Sequence, residues 1–217
     1  GKSAQDSTKK DTISLEVTNY YGSYFVKQNA TTSGDGKTWG NAISLTSILD
    51  ILSKGTLTQP ITIYVAEGIY KPTNTIDRNI SFVLNNTRLV GGFDSTSTST
   101  DTTRRNINIH QTILSGEIGD TTTTIDNSYH VATIINSSTF DGVTIRDGRA
   151  SAATYGYISG TYSYSPSDNG GGIYFSQFYS MSPININLKL IDCILKLSTF
   201  HKKLVLFFIC LSIITDG

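Results

Sequence analysis

The stretch ITIYVAEGIY, Ile61 to Tyr70, decides how the chain is read. Ile61, Ile63 and Val65 point one way, and Thr62 and Tyr64 the other. That two-residue period belongs to a half-buried strand. ISFVLNNTRLVGGF, QTILSGEIGD, YHVATIINSSTFDGVTIRDG and GGGIYFSQF repeat it, each closed by glycine, asparagine or aspartate. In PININLKLIDCIL the alternation sets Ile184, Ile186, Leu188 and Leu190 inward, against Asn185, Asn187 and Lys189. The runs recur about every 20–25 residues, the spacing of a repeat architecture. No helical pattern lies between them, which argues against βαβ units. Two arrangements stay open on periodicity: an antiparallel β-sandwich and a parallel solenoid. In the solenoid, Ile61, Ile63, Val65, Leu84, Val90, Ile113, Val131, Ile135, Val143 and Ile145 are expected to be mostly buried and stacked in parallel strands.

Upstream of that stretch the pattern differs. Residues 1–19 are polar and charged, a linker-like start, and Tyr20 to Gln28 reads as a strand. Trp39 to Lys54 reads as a helix, with Ile43, Ile48, Leu49 and Leu52 as a crude apolar face and Gly55 as its stop. A solenoid needs its first edge covered, and a helix placed before the first repeat can cover it.

Between strand and helix lies SGDGKTWGNA, whose Gly36-Lys37-Thr38 has the ending of a phosphate-binding loop. Such a loop needs another glycine five residues before Gly36, where Thr31 stands. The segment therefore reads as a turn into the helix with Trp39 packed beneath it, Lys37 exposed, and no nucleotide bound.

The 217 residues carry 17 basic and 17 acidic side chains. This balance gives no electrostatic attraction to nucleic acid or anionic lipid, and the lone pair Arg104-Arg105 is too small a basic surface. Serine, threonine, asparagine and glycine replace the usual charges, a composition suited to β-structure with many turns. The two cysteines, Cys193 and Cys210, make no disulfide framework and no CxxC. His110, His130 and His201 stand apart in sequence, so no metal site is expected. Asn29, Asn79, Asn85 and Asn136 open glycosylation-type triplets that a Thr/Ser-rich chain produces by chance.

The segments YFVKQNATTSGDGKTWGNA, IYVAEGIYKPT, SFVLNNTRLVGGF, TILSGEIGD, NSYHV, FDGVTIRDG and NGGGIY, in that order over roughly Tyr21 to Leu195, resemble a known group. They are similar to the N-terminal part of right-handed parallel β-helix proteins of the pectin-lyase-like kind. More closely they resemble large repetitive surface or secreted bacterial proteins of the Bacteroidetes type. The resemblance implies an all-β, right-handed parallel β-helix over residues 20–195, capped by the N-terminal helix. It also implies an extracellular, cell-surface or outer-membrane location. Gly91-Gly92 and Gly170 to Gly172 would then sit at sharp turns or close approaches. The loops 94–105 and 150–168 would emerge on the outside. The second, with Tyr155, Tyr157, Tyr162 and Tyr164, is the candidate ligand surface for polysaccharide or cell-surface glycans.

Because relatives of this kind include polysaccharide lyases and hydrolases, a catalytic cluster is sought. Asp141, Arg146 and Asp147, beside Arg149, are the best charged candidates. The Asn-Thr-Asp, Asp-Asp, Gly-His-Gly and Arg-Ile-Lys signatures of polygalacturonases are absent, and so is the paired-arginine motif of pectate lyases. No Gly-x-Ser-x-Gly elbow is present. The expected function is a non-catalytic scaffold or adhesin-like module without a cofactor. The alternative is the N-terminal part of a lyase or glycoside hydrolase, with Ca2+ entering only in the lyase case. Residues 196–217 break the pattern. Lys202 and Lys203 precede an apolar run, Leu204 to Ile214, which falls short of a membrane span. The tail reads as a foreign ending on a truncated protein, with any membrane association left to missing parts of the parent.

Overall fold

The computed structural model describes residues 22–30, 34–96, 98, 101–150, 156–158, 161–163, 171–175 and 188–196. Its main strands fall into three parallel sheets. The first contains β1 (Ser23–Val26), β2 (Ile61–Ala66), β5 (Thr87–Phe93), β8 (Ser138–Asp141) and β13 (Leu188–Ile191), in that order. The second holds β3 (Gly68–Tyr70), β6 (Thr112–Ser115), β9 (Val143–Arg146) and β14 (Ile194–Lys196). The third holds β4 (Phe82–Leu84), β7 (Ala132–Ile134) and β12 (Ile173–Phe175). A separate antiparallel hairpin joins β10 (Gly156–Ile158) to β11 (Thr161–Ser163).

Register in the parallel sheets aligns like with like. Tyr24, Ile63, Leu89, Phe140 and Leu190 are paired in succession across the first sheet. Tyr70, Leu114, Ile145 and Leu195 do the same across the second. Except for Leu195, which is exposed, and Leu190, which packs half-buried against the cluster, these rows meet Leu84, Ile134 and α1 (Leu45–Ser53) in one core cluster. Each fully buried aliphatic or aromatic side chain there contributes about 1.5–3 kcal/mol of transfer free energy.

The fold class expected from the sequence is corrected by this arrangement. The described residues form an α/β mix of three parallel sheets, not an all-β chain, and no closed solenoid is traced through them. The reason lies in two features. First, α1 is part of the core: Leu45, Ile48, Leu49 and Leu52 are all buried in the main cluster. Second, the connections are uneven. Glu67 alone separates β2 from β3, and Gly142 alone separates β8 from β9. Long polar loops separate β3 from β4, β5 from β6 and β6 from β7, and the antiparallel hairpin intervenes between β9 and β12. The sandwich alternative fails on the parallel register of β2 with β5 and of β4 with β7.

The helix is shorter than Trp39 to Lys54. Ser44 caps it, its hydroxyl accepting from Ser47 N at 3.2 Å, so helical geometry begins at Leu45. Trp39–Asn41 forms a separate 3-10 turn. Ile43 leaves the helical face and bridges Val26, its N–H donating to Phe25 O at 3.0 Å. Phe25 N donates in turn to Gly36 O at 2.8 Å, so the segment around SGDGKTWGNA covers the open edge of β1. Trp39 packs on Phe25 and Phe93, with ring centroids 5.0 and 5.5 Å away.

Candidate functional site

The turns between the first two sheets carry most of the charge that chemistry could use. Asp141 ends β8 and is followed by Gly142, whose φ of +66° turns the chain sharply into β9. Arg88, from β5, donates to Asp141 at 2.8 Å, and Arg105 donates to its other oxygen. The Arg105 guanidinium also reaches Gly91 O at 3.3 Å, tying adjacent turns together.

Asp147 lies after β9 in left-handed geometry, φ +63°. It accepts from Ser115 Oγ at 2.6 Å and pairs with Arg146 at 3.1 Å. The structure thus divides the sequence-predicted cluster. Asp141 belongs to an Arg88–Arg105 network, whereas Arg146 and Asp147 hold each other beside Ser115. Arg149 stands apart from both: its guanidinium donates to Thr124 Oγ1 at 2.5 Å, its N–H donates to Ser128 O, and its carbonyl accepts from Arg78.

Of the tyrosine candidates, Tyr157 and Tyr162 are directly opposed in the β10–β11 register. Tyr155 and Tyr164 lie outside the described residues, as do His201, Cys210, Ile184 and Ile186. Gly91 has the close approach expected of it, since a Cβ there would stand 2.6 Å from Gly142 O. Gly148 and Gly171 press together, a Cβ on Gly171 meeting Gly148 O at 2.8 Å. Lys37 is exposed and lies over the Tyr24 ring at 3.7 Å from its centroid.

One cluster escaped the sequence reading. Glu67, Asp94 and His110 lie 27 and 43 residues apart by number from Glu67, yet one donor atom from each falls within 4.8 Å of the others. Glu67 is the single residue between β2 and β3, its N–H donating to Phe93 O at 2.7 Å. Asp94 immediately follows β5, the strand paired to β2. His110 is brought up by a turn in which its N–H donates to Asn106 O at 2.8 Å, just before β6. Its Nδ1 lies 2.9 Å from Glu67 Oε2.

Both carboxylates are oriented from behind. Ser95 N–H donates to Glu67 Oε1 at 3.1 Å, while Thr96 N–H and Oγ–H donate to Asp94 Oδ1 at 2.7 and 2.9 Å. The hydrogen bond with His110, reinforced by Ser95, holds the Glu67 carboxyl below its ordinary value. The Thr96 bonds do the same for Asp94. All three side chains are half-buried. Asp94 and His110 line an open depression of about 390 Å³ that is also bordered by Phe93, Asp101 and Arg104. A signal for this cluster existed only as three polar residues flanking strand ends; their convergence depends on register.

His130, also isolated in sequence, stacks on Tyr174 with centroids 4.7 Å apart. Among the described residues no helix is long and apolar enough to cross a membrane. Comparison of the chain with protein-family models, with curated proteins and with solved structures finds no match.

Proposed function

We propose that the chain is a non-catalytic scaffold module of a secreted or cell-surface protein, adhesin-like, contacting glycans through its loops. The observation that carries this reading is the fate of Asp141. The best catalytic candidate is 4% exposed at its side chain and is held by two guanidinium groups. With both oxygens engaged by guanidinium groups and the side chain out of solvent, this carboxylate is not presented to a substrate. Glu67 and Asp94, the more accessible pair, are held below their ordinary values, the opposite of what a general acid needs. Three sheets built from in-register aliphatic rows suit a rigid support, and the Tyr157–Tyr162 pairing in the β10–β11 hairpin supports a contact surface there.

The test is a glycan-binding panel run beside an activity panel on uronate polysaccharides, with and without calcium. Saturable glycan retention weakened by Tyr157→Ala plus Tyr162→Ala, with no product formed, is the expected result. Release of an unsaturated or reducing sugar product would replace this reading with the lyase or hydrolase alternative.

A further inference from the structure

We propose that Glu67, Asp94 and His110 form a binding site for a divalent first-row transition ion, with Zn2+ as the simplest occupant. The donor set is one imidazole and two carboxylates. Imidazole suits zinc and its neighbours, while calcium prefers six to eight oxygen ligands. In a tetrahedral zinc site with bonds of about 2.0–2.2 Å, ligand atoms stand about 3.4 Å apart. The Glu67–His110 separation is 2.9 Å and the whole set spans no more than 4.8 Å. Small rotations of half-buried side chains close that difference.

Charge favours a cation. Among the described residues, neither Glu67 nor Asp94 forms an ion pair with lysine or arginine; the nearby Arg104 is paired with Asp101 at 3.6 Å. Lys27 exerts the weakest of the influences acting on Asp94. Among the described residues His110 is the only basic side chain within ion-pair distance of Glu67 or Asp94, and a neutral imidazole bound to metal would leave two carboxylates to neutralise a divalent ion. Orientation is already provided: Ser95 holds the Glu67 oxygen turned away from His110, and Thr96 holds Asp94 Oδ1, the outer-shell support that metal ligands require. The three ligands come from three points fixed by strand pairing, so the site costs little reorganisation. Three protein donors leave a coordination position on the side of the open depression, where water completes the shell.

The proposal stands apart from the glycan reading and is tested without it. The full chain, stripped with chelator, is titrated with Zn2+ by calorimetry and with Co2+ by visible absorption. One equivalent of Zn2+ and ligand-field bands with Co2+ are expected. Loss of an outer-shell partner lowers metal affinity by about 10–100-fold. Thr96→Val should fall in that range, and His110→Ala and Asp94→Asn should fall beyond it. Circular dichroism of the metal-free variants checks that each is folded, and Asp94→Asn, nearly isosteric, serves if His110→Ala does not fold. No binding at millimolar Zn2+ would overturn the site. So would binding unchanged in Asp94→Asn and Thr96→Val, which would place the ion elsewhere, for instance at His130 or Cys193.

Discussion

Arg105 donates to the Asp141 carboxylate, and both side chains are close to buried, at 13% and 4% exposed. Arg88 approaches the same carboxylate from a side chain that is 44% exposed. The acid and Arg88 should therefore matter unequally. Removing the acid leaves the Arg105 guanidinium only Gly91 O at 3.3 Å and the exposed Asp192 at 3.8 Å, a loss approaching that of a broken buried pair, about 3–5 kcal/mol. Removing Arg88 deletes a half-exposed partner, worth about 0–1 kcal/mol. Urea unfolding of Asp141→Ala and Arg88→Ala should show that order. Equal, small losses would show that the network is not the structural lock described above.

The segment at Gly36 should be sensitive to shape and indifferent to nucleotide. A Cβ on Gly36 would meet Ile43 Cγ2 at 2.7 Å, and its φ of +67° disfavours any L side chain. At Gly34 a Cβ would lie 2.1 Å from the carbonyl oxygen of Ala42. Gly34→Ala and Gly36→Ala should each destabilise by about 1–3 kcal/mol or more. Lys37→Ala removes only an exposed cation–π contact, about 0.5–1 kcal/mol. ATP with magnesium should shift the melting temperature of none of these proteins; a shift lost in Lys37→Ala would restore the phosphate-loop reading.

Asn85 joins the third sheet to the helix. Its Nδ2 donates to Leu52 O at 3.1 Å, which also accepts from Gly55 N at 3.2 Å, and to Gly55 O at 3.0 Å just past the end of α1. Asn85→Ala should cost about 0.5–1.5 kcal/mol, the net worth of a hydrogen bond, since Leu52 O keeps its bond from Gly55 N. Hydrogen exchange should show the loss first in α1 and β4. Uniform loss across all sheets would mean that Asn85 does not act through the helix.

The strands were legible because their signal is local. Ile61, Ile63, Val65, Leu84, Val90, Val131, Val143 and Ile145 are all buried, as alternation predicts. Two positions slip by one residue. Ile113 and Ile135 are only half-buried, and Leu114 and Ile134 take the interior. In QTILSG and VATIIN adjacent aliphatic residues fit either face, so only pairing to Tyr70 and Leu84 settles the choice. The helix was overextended because Ile43 matched its apolar face, while Ser44 capping and the bridge to Val26 are tertiary matters. The Glu67–Asp94–His110 cluster was illegible for the same reason: no spacing rule joins residues brought together by strand register.

Tyr70 offers a pH prediction with a defined sign. Its ring is 5% exposed, and its hydroxyl donates to Ala66 O at 2.9 Å. Burial first, and the negative charge of Glu67 second, push the phenol well above its ordinary value. An unfolded tyrosine ionises near pH 10. Below that pH the phenol is neutral in both states and its contribution is intact. Above it the unfolded chain releases the proton while the folded protein retains it, so stability falls as pH rises. The chain has 12 tyrosines, so the alkaline slope of the native protein alone does not identify the residue. The difference between native protein and Tyr70→Phe does. At neutral pH the substitution should cost about 0.5–1.5 kcal/mol. The low end is expected, because Ala66 O also accepts from Thr112 Oγ1 at 3.2 Å. Above pH 10 the gap should narrow and then reverse, since phenylalanine has no proton to lose. Parallel stability curves for the two proteins from pH 8 to 11 would show that Tyr70 ionises freely in the fold and that its burial is not maintained in solution.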